Sequence, residues 1–268
     1  MTFTIQEIIL LISIGCVSGL LGGLLGIGGG VIYGPVTLFI LKGWNISDKI
    51  ILPLTFGTSL FIIIFSSLSA VIKYQSMKCI LWRSVLIMSL FGIIGAYFGA
   101  TVTVYTPRWI LQRIYGLFLI FVAYRISKEL KSNEAIEKKE KLIYLIISGI
   151  IIGFVSSMFG VGGGVVSIPI MILFLKYPIK KIAGTSSGII LFTSISGVIR
   201  YIYLGLKNFD IPSNSIGFVN LKIALPLMIG GILCAPIGAY LNNKVKVLTL
   251  KKIFSLFLAI IGITLIFM

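Results

Sequence analysis

One stretch decides the fold, and the chain contains it twice: Gly26-Ile27-Gly28-Gly29-Gly30-Val31, with Pro35 four residues later, and Gly160-Val161-Gly162-Gly163-Gly164-Val165, with Pro169 four residues later. One copy lies early in each half of the chain. Clustered glycine is costly inside a helix, so each copy predicts a break in a helical segment. Glycine-broken segments at corresponding positions of two halves are typical of secondary transporters.

The duplication extends over the whole chain. Further matches, in the same order, are residues 57–74 with 184–201 (11 identical positions), residues 94–97 with 237–240 (both Ile-Gly-Ala-Tyr) and residues 111–115 with 250–254. We therefore expect two homologous transmembrane repeats, 1–127 and 142–268. The charged stretch between them, 128–141, is predicted to be a cytoplasmic linker.

The composition is that of an integral membrane protein. The chain is 58% hydrophobic and only 11% charged, whereas soluble domains carry roughly 25% charged residues. Four uncharged runs are each long enough to span a bilayer core of about 30 Å: 50–72, 84–107, 142–175 and 223–243. We expect an all-α, multi-pass protein of the bacterial inner (plasma) membrane.

The basic residues favour inverted repeats. If each glycine-broken segment crossed the membrane, 12 basic residues would lie on the linker side and 11 on the other. If each segment instead turns back, so that each repeat has one broken segment plus three spans, the distribution becomes 16 to 7. Cytoplasmic loops are enriched in Lys and Arg, so the second topology is predicted, with both termini outside.

We expect Gly28-Gly29-Gly30 and Gly162-Gly163-Gly164 to be non-helical and to lie close together near mid-membrane, where they predict an anion site. A helix that resumes within the membrane after a break presents unpaired backbone N–H groups and the positive end of its dipole. The candidate substrate-binding residues are Gly26, Gly28, Gly29, Gly30, Thr58, Ser59, Gly160, Gly162, Gly163, Gly164, Thr185 and Ser186. The alternative is that the glycines only allow close helix packing.

The hydroxyl and basic residues leave two interpretations open. The Thr-Ser pairs are interpreted as opening the spans that follow the breaks, where they either donate to the substrate or bond within the bundle. The isolated hydroxyl residues further along, which include Ser66, Thr193 and Ser194, are predicted to bond within the bundle. Lys73 and Arg200, each followed by Tyr, are interpreted as interfacial anchors, with attraction of anions as the alternative.

Several classes of function are excluded. The chain has no histidine, and Cys16, Cys79 and Cys234 are scattered, so no metal site, cofactor or catalytic residue is predicted. The basic residues sit between apolar runs, which does not indicate nucleic-acid binding. Among acidic residues only Glu7 lies near an apolar span, at its start, and this argues against cation transport.

At these residues the chain resembles the TauE/SafE family of bacterial membrane proteins, the sulfite exporter or toluene-sulfonate uptake permease family. The resemblance rests on the GxGGG…P break in both halves and on the Gly-Thr-Ser that follows. It implies transport of a small sulfur oxyanion or organosulfonate across the inner membrane. Residues 52–56, which directly precede Gly57-Thr58-Ser59, depart from the alanine-rich segment that is commoner at this position in the family.

The sequence thus predicts an anion transporter whose partners are a small anion and the lipid bilayer. A membrane assembly or accessory protein that transports nothing is the alternative. The anion, the direction of transport, the coupling ion and a homo-oligomeric state are left open by the residues.

Overall fold

The computed structural model describes residues 3–127, 141–206 and 211–242, and residues 256, 259–260, 262–264 and 266. In chain order the elements are α1 (Ile5–Leu25), α2 (Gly30–Gly43), α3 (Ile51–Ser76), α4 (Trp82–Tyr105), α5 (Arg108–Ser127), α6 (Leu142–Phe159), α7 (Gly164–Leu173), α8 (Ile179–Gly205), β1 (Ser215–Ile216), β2 (Val219–Asn220) and α9 (Leu221–Asn242). The predicted linker lies outside the described residues, except for Lys141.

The helices have the length and surface of membrane spans. Within the described part of the chain, α1, α3, α4, α6, α8 and α9 are long and apolar enough to cross a bilayer. Their outward faces carry large exposed apolar side chains, such as Ile72, Leu90, Ile199 and Leu233. A water-soluble monomer rarely exposes apolar surface on this scale, whereas lipid covers it without cost. The predicted all-α membrane class is confirmed.

The first broken segment turns back on itself. Phe3, just before α1, and Trp44, just after α2, pack with ring centroids 5.5 Å apart. The ammonium group of Lys222 lies over both rings. Because α1 begins where α2 ends, the pair makes no net crossing. We call this side of the molecule the Phe3 face; it includes Phe3, Trp44, Asp48, Arg108 and Asn220.

The second broken segment turns back towards the opposite side. Leu145, near the start of α6, and Leu175, just after α7, belong to one buried cluster. Nearby, the phenol of Tyr177 donates to Ser84 Oγ at 2.6 Å. We call this side the Met77 face; it includes Met77, Leu81, Lys141, Tyr177 and Asn242.

Helices α3 and α8 form the centre of the bundle and run antiparallel. Gly57, near the start of α3, packs on Tyr201 near the end of α8. Gly184, near the start of α8, packs in the same way on Tyr74 near the end of α3. The two helices are the counterparts of each other in the predicted duplication. Counterparts that run in opposite directions are what inverted repeats require.

Each broken segment packs mainly against the other half of the chain. Gly15 and Gly19 of α1 lie directly on the backbone of α9, and Gly149 and Gly153 of α6 lie directly on the backbone of α4. Such close approach of helix backbones is the usual role of glycine at helix interfaces in membranes. We call this arrangement the hairpin exchange.

The contacts correct one predicted match within the duplication. Gly99 packs on the carbonyl oxygen of Phe154, and Gly238 packs on that of Leu20. Leu20 and Phe154 stand at the same distance before their respective glycine breaks, so Gly99 is the counterpart of Gly238. The predicted alignment of residues 94–97 with 237–240 is therefore wrong by one helical turn. Small residues recur every four positions here, which makes a short match easy to misplace.

Candidate functional site

The two glycine breaks adopt the same backbone conformation. Their left-handed residues are Gly26 (φ 69°), Gly28 (77°), Gly29 (75°), Gly160 (61°), Gly162 (82°) and Gly163 (76°). Residues with a Cβ rarely adopt these angles. Gly29 directly precedes α2, and Gly163 directly precedes α7. The prediction that both stretches are non-helical is confirmed for Gly28, Gly29, Gly162 and Gly163, whereas Gly30 and Gly164 are the first residues of α2 and α7.

The breaks lie against each other, halfway along α3 and α8. A methyl group added to Gly30 would lie 2.7 Å from the carbonyl oxygen of Val161, and one added to Gly164 would lie 2.7 Å from that of Gly26. The predicted proximity of the two breaks is therefore confirmed.

Two isoleucines cover the breaks from the central helices. Methyl groups added to Gly28 and to Gly162 would each lie 3.1 Å from Ile190 Cγ2, and 3.3 Å and 3.2 Å from Ile63 Cγ2. Ile63 and Ile190 are counterparts in the duplication and are both completely buried. Sequence reasoning missed both, because isoleucine is common throughout the spans.

Eight backbone N–H groups at the breaks have no hydrogen-bond acceptor among the described residues. They belong to Gly28, Gly29, Gly30, Val31, Gly162, Gly163, Gly164 and Val165. All eight residues are buried. Buried N–H groups are nearly always paired, and each unpaired one costs about 1–3 kcal/mol. The positive ends of two helix dipoles meet at the same place. The site is thus complementary to a small anion.

Two of the predicted serines connect the halves. Ser59 Oγ donates to the carbonyl oxygen of Gly160 at 2.7 Å, and Ser186 Oγ donates to that of Gly26 at 2.6 Å. Ser186 Oγ also lies 2.6 Å from Ser167 Oγ on α7. In this conformation the hydroxyl protons of Ser59 and Ser186 are directed at carbonyl oxygens of the breaks and not at a substrate.

The two predicted threonines support neighbouring helices. Thr58 Oγ1 accepts from the backbone N–H of Asn220 at 2.9 Å, and Thr185 Oγ1 accepts from that of Leu81 at 3.0 Å. Asn220 and Leu81 are the residues that directly precede α9 and α4. Each threonine therefore fixes the start of a helix rather than facing the breaks.

The prediction that the Thr-Ser pairs open their spans is wrong. Both pairs lie about two turns inside their helices, because α3 begins at Ile51 and α8 at Ile179. Proline explains the earlier starts: Pro53 lies in the first turn of α3, and Pro178 precedes α8. Proline is well tolerated at both positions.

The isolated hydroxyl residues divide into two groups. Ser66, Ser67, Ser69, Thr193 and Ser196 each donate to a backbone carbonyl oxygen, as predicted. Ser194 was expected to do the same, and this is wrong: its buried Oγ has no partner among the described residues. A helical serine bonds back only when its side chain is turned towards a carbonyl of the preceding turn, and that of Ser194 is not.

Lys73 and Arg200 each lie beside an aromatic ring near a face of the bundle. The Lys73 ammonium group is 5.1 Å from the centroid of Tyr240, and the Arg200 guanidinium is 4.1 Å from that of Tyr97. Arg200 Nε also donates to Thr101 Oγ1 at 2.9 Å. These contacts suit interfacial anchors.

A narrow cleft lies beside the breaks on the side of the Met77 face. Its lining is built from small residues of α1, α3, α8 and α9 together with one residue of the first break: Gly19, Gly22, Gly23, Gly28, Ser66, Ser67, Ala70, Ser187 and Ala235. The hydroxyl groups in this lining all donate to backbone carbonyls. Within the described residues, no group of acidic, histidine or cysteine side chains is suited to hold a metal ion.

The comparisons with known proteins agree with this architecture. The family model described as sulfite exporter TauE/SafE matches residues 11–265. A probable membrane transporter protein of Methanocaldococcus jannaschii is 33% identical over 95% of this chain and 93% of its own length. Similar proteins of Haemophilus influenzae (27% identical, 96% and 97% covered) and Bacillus subtilis (26%, 98% and 98%) are also described as probable membrane transporters. No solved structure matches significantly.

The family match covers nearly the whole chain, and the relatives are covered almost end to end. Together with the six long apolar helices, this agrees with the predicted multi-pass localisation in the cell membrane. The chain belongs to the TauE/SafE family and is a membrane transporter, not an enzyme.

Proposed function

We propose that the protein carries a small sulfur oxyanion or organosulfonate across the membrane, bound between the two glycine breaks. The observation that carries the proposal is the set of unpaired N–H groups at the starts of α2 and α7. An anion entering a lipid-embedded protein needs donors that replace its hydration. These groups supply them without a basic side chain, which would itself need to be neutralised. The description of the family as sulfite exporters supports the substrate class.

The candidate residues then have different tasks. Gly28, Gly29, Gly30, Gly162, Gly163 and Gly164 provide the N–H groups and the space around the anion. Gly26 and Gly160 end the preceding helices and direct their carbonyl groups to Ser186 and Ser59. Thr58 and Thr185 hold the helices that enclose the site.

The proposed transporter has two inverted repeats, 1–127 and 142–268. The Phe3 face is external, and the Met77 face and the linker are cytoplasmic. Support comes from the antiparallel course of α3 and α8, from the two segments that turn back at opposite faces, and from the distribution of basic residues. Access then alternates when one repeat rocks against the other around a central site.

Transport by purified protein tests the function. Proteoliposomes are loaded with radiolabelled sulfite, and efflux is compared with that from empty liposomes. Unlabelled sulfite, sulfoacetate, taurine, thiosulfate and acetate are then added as competitors. We expect protein-dependent flux that sulfur oxyanions inhibit and acetate does not. A parallel thermal-shift screen should rank the anions in the same order as the competition assay, because a ligand that binds the folded state raises its Tm. Protein that neither transports nor binds any of these anions would overturn the proposed substrate class.

A further inference from the structure

Three serine hydroxyls in the second half are buried without a partner. Ser156, Ser157 and Ser194 are all 0% exposed, and none of their Oγ atoms has a hydrogen-bond partner among the described residues. Serine inside a helix usually bonds back to a carbonyl of the preceding turn. Three serine hydroxyls that lack this hydrogen bond reduce the stability of a bundle surrounded by lipid. They therefore call for an acceptor that the described protein does not provide.

The three serines lie next to the second glycine break. Ser156 Cβ would be 3.0 Å from a methyl group added to Gly163, so its side chain adjoins the start of α7. Ser157 Oγ packs on Gly197 of α8. Ser194 lies one turn before Gly197, on the same side of that helix. The hydroxyl groups thus extend the donors of α7 towards the Phe3 face.

The first half has no unpaired serines at the corresponding positions, although the hydroxyl groups of Tyr33, Thr37, Ser89 and Tyr115 are also buried without a partner among the described residues. When the two glycine breaks are aligned, the counterparts of Ser156 and Ser157 are Gly22 and Gly23. When α3 is aligned with α8 on Gly57 and Gly184, the counterpart of Ser194 is Ser67, which already donates to Ile64 O at 3.1 Å. The corresponding positions in the first half line the narrow cleft described above. The two ends of the site therefore differ in the free serine hydroxyls that they offer at corresponding positions.

We propose that Ser156, Ser157 and Ser194 form a hydroxyl station that binds the oxygen atoms of the transported anion on the Phe3 side of the second break. This inference rests on the proposed function and names the residues that give the site its preference among anions. The four free N–H groups of the second break and three further hydroxyls on its Phe3 side suit a group with three acceptor oxygens, such as sulfite or a sulfonate. A carboxylate, with two oxygens, leaves more of these donors unpaired. A site that leaves buried donors unpaired rejects the analogue strongly.

Methanesulfonate and acetate test the station, because both carry one charge and one methyl group. Affinity is measured as competition with radiolabelled sulfite efflux, for the wild type and for S156A, S157A, S194A and the triple variant. The wild type should prefer methanesulfonate. Each lost bond to an anion weakens binding about tenfold or more. The triple variant should therefore lose most of its preference over acetate. Ser148→Ala, a buried serine on α6 two turns away, is the matched control and should behave as the wild type.

Thermal stability separates a binding role from a structural one. If the hydroxyls have no partner in the protein, the alanine variants should melt at the same or a higher temperature than the wild type without anion, and should lose the rise in Tm that methanesulfonate causes. A triple variant that melts lower but keeps the wild-type preference would overturn the station. Unchanged preference in a stable variant would overturn it too, while leaving the transport function intact. Wild-type protein that neither binds nor transports sulfite would overturn the proposed function itself.

Discussion

Ser59 on α3 donates a hydrogen bond to the carbonyl oxygen of Gly160, 101 residues later in the chain. Ser186 on α8 does the same for Gly26 in the first break. Each central helix therefore holds the break that belongs to the other half. The consequence is that the conformation of both breaks depends on both halves at once.

Replacing either serine with alanine should destabilise the protein and weaken anion binding together. Ser59→Ala leaves the buried carbonyl oxygen of Gly160 without a donor, which costs about 1–3 kcal/mol. The released carbonyl also brings negative charge nearer to the bound anion. Thermal unfolding with and without sulfite measures both effects, and Ser186→Ala should match Ser59→Ala. Ser13→Ala, at an exposed hydroxyl of α1, serves as the control. If Ser59→Ala and Ser186→Ala both melted at the wild-type temperature, the role given to these hydrogen bonds would be contradicted.

Gly163→Val should abolish transport while the protein still folds. Gly163 has φ 76°, which a β-branched residue rarely adopts, and its new side chain would meet Ile152 and Ser156 within about 3 Å. Sulfite efflux in proteoliposomes should fall to the level of empty liposomes. Size-exclusion chromatography checks that the variant is folded. Gly43→Ala is the control, because a methyl group there has no atom within 4 Å. Full transport by a folded Gly163→Val protein would leave the glycine site without support.

Gly153→Ala should instead affect stability without a specific effect on binding. A methyl group at Gly153 overlaps the backbone of α4 at Gly92, and none of its nearest neighbours belongs to either break. Forcing the two helices apart should cost about 1–3 kcal/mol of unfolding free energy. We expect a lower Tm, with an unchanged affinity for sulfite in the fraction that remains folded. A loss of affinity at full stability would show that this packing glycine belongs to the site.

The topology predicts opposite labelling of two lysine positions. In a protein whose three cysteines are replaced by alanine, Lys49→Cys lies near the Phe3 face and Lys78→Cys near the Met77 face. A membrane-impermeant maleimide should label the first in intact cells and the second only after permeabilisation. Reporter fusions should place the C-terminus outside. A cytoplasmic C-terminus would exclude the arrangement of two inverted repeats with a cytoplasmic linker.

The sequence was sufficient for the parts of the fold that depend on composition and on glycine. Uncharged runs predicted the long helices, and the repeated Gly-x-Gly-Gly-Gly predicted two breaks that lie together. Glycine is informative because its positive φ and missing side chain leave few other interpretations.

Features that depend on packing partners were not predicted. The hydroxyl of Ser194 was expected to bond within the bundle, but it has no partner among the described residues. This could not be predicted, because composition does not show which carbonyl groups a side chain reaches. The alignment of α4 with its counterpart α9 was wrong by one helical turn, because Gly95 and Gly99 fit a short sequence match equally well. Ser156 and Ser157 were detectable: an alignment of the halves on their glycine breaks shows that they replace two glycines of the first half.

The hairpin exchange also sets the order in which the protein can be assembled. The α6–α7 segment meets a helix that has already been synthesised, since α4 precedes it. The α1–α2 segment is complete at Gly43 but must wait for α9, whose last residue is Asn242. At about 5–20 residues per second, the delay is roughly 10–40 seconds. During that time the first break has contacts from α3 only and lacks those from the second half of the chain. A structure that looks symmetric when complete is therefore reached along an asymmetric path, in which the N-terminal hairpin is the last part to find its partner helix.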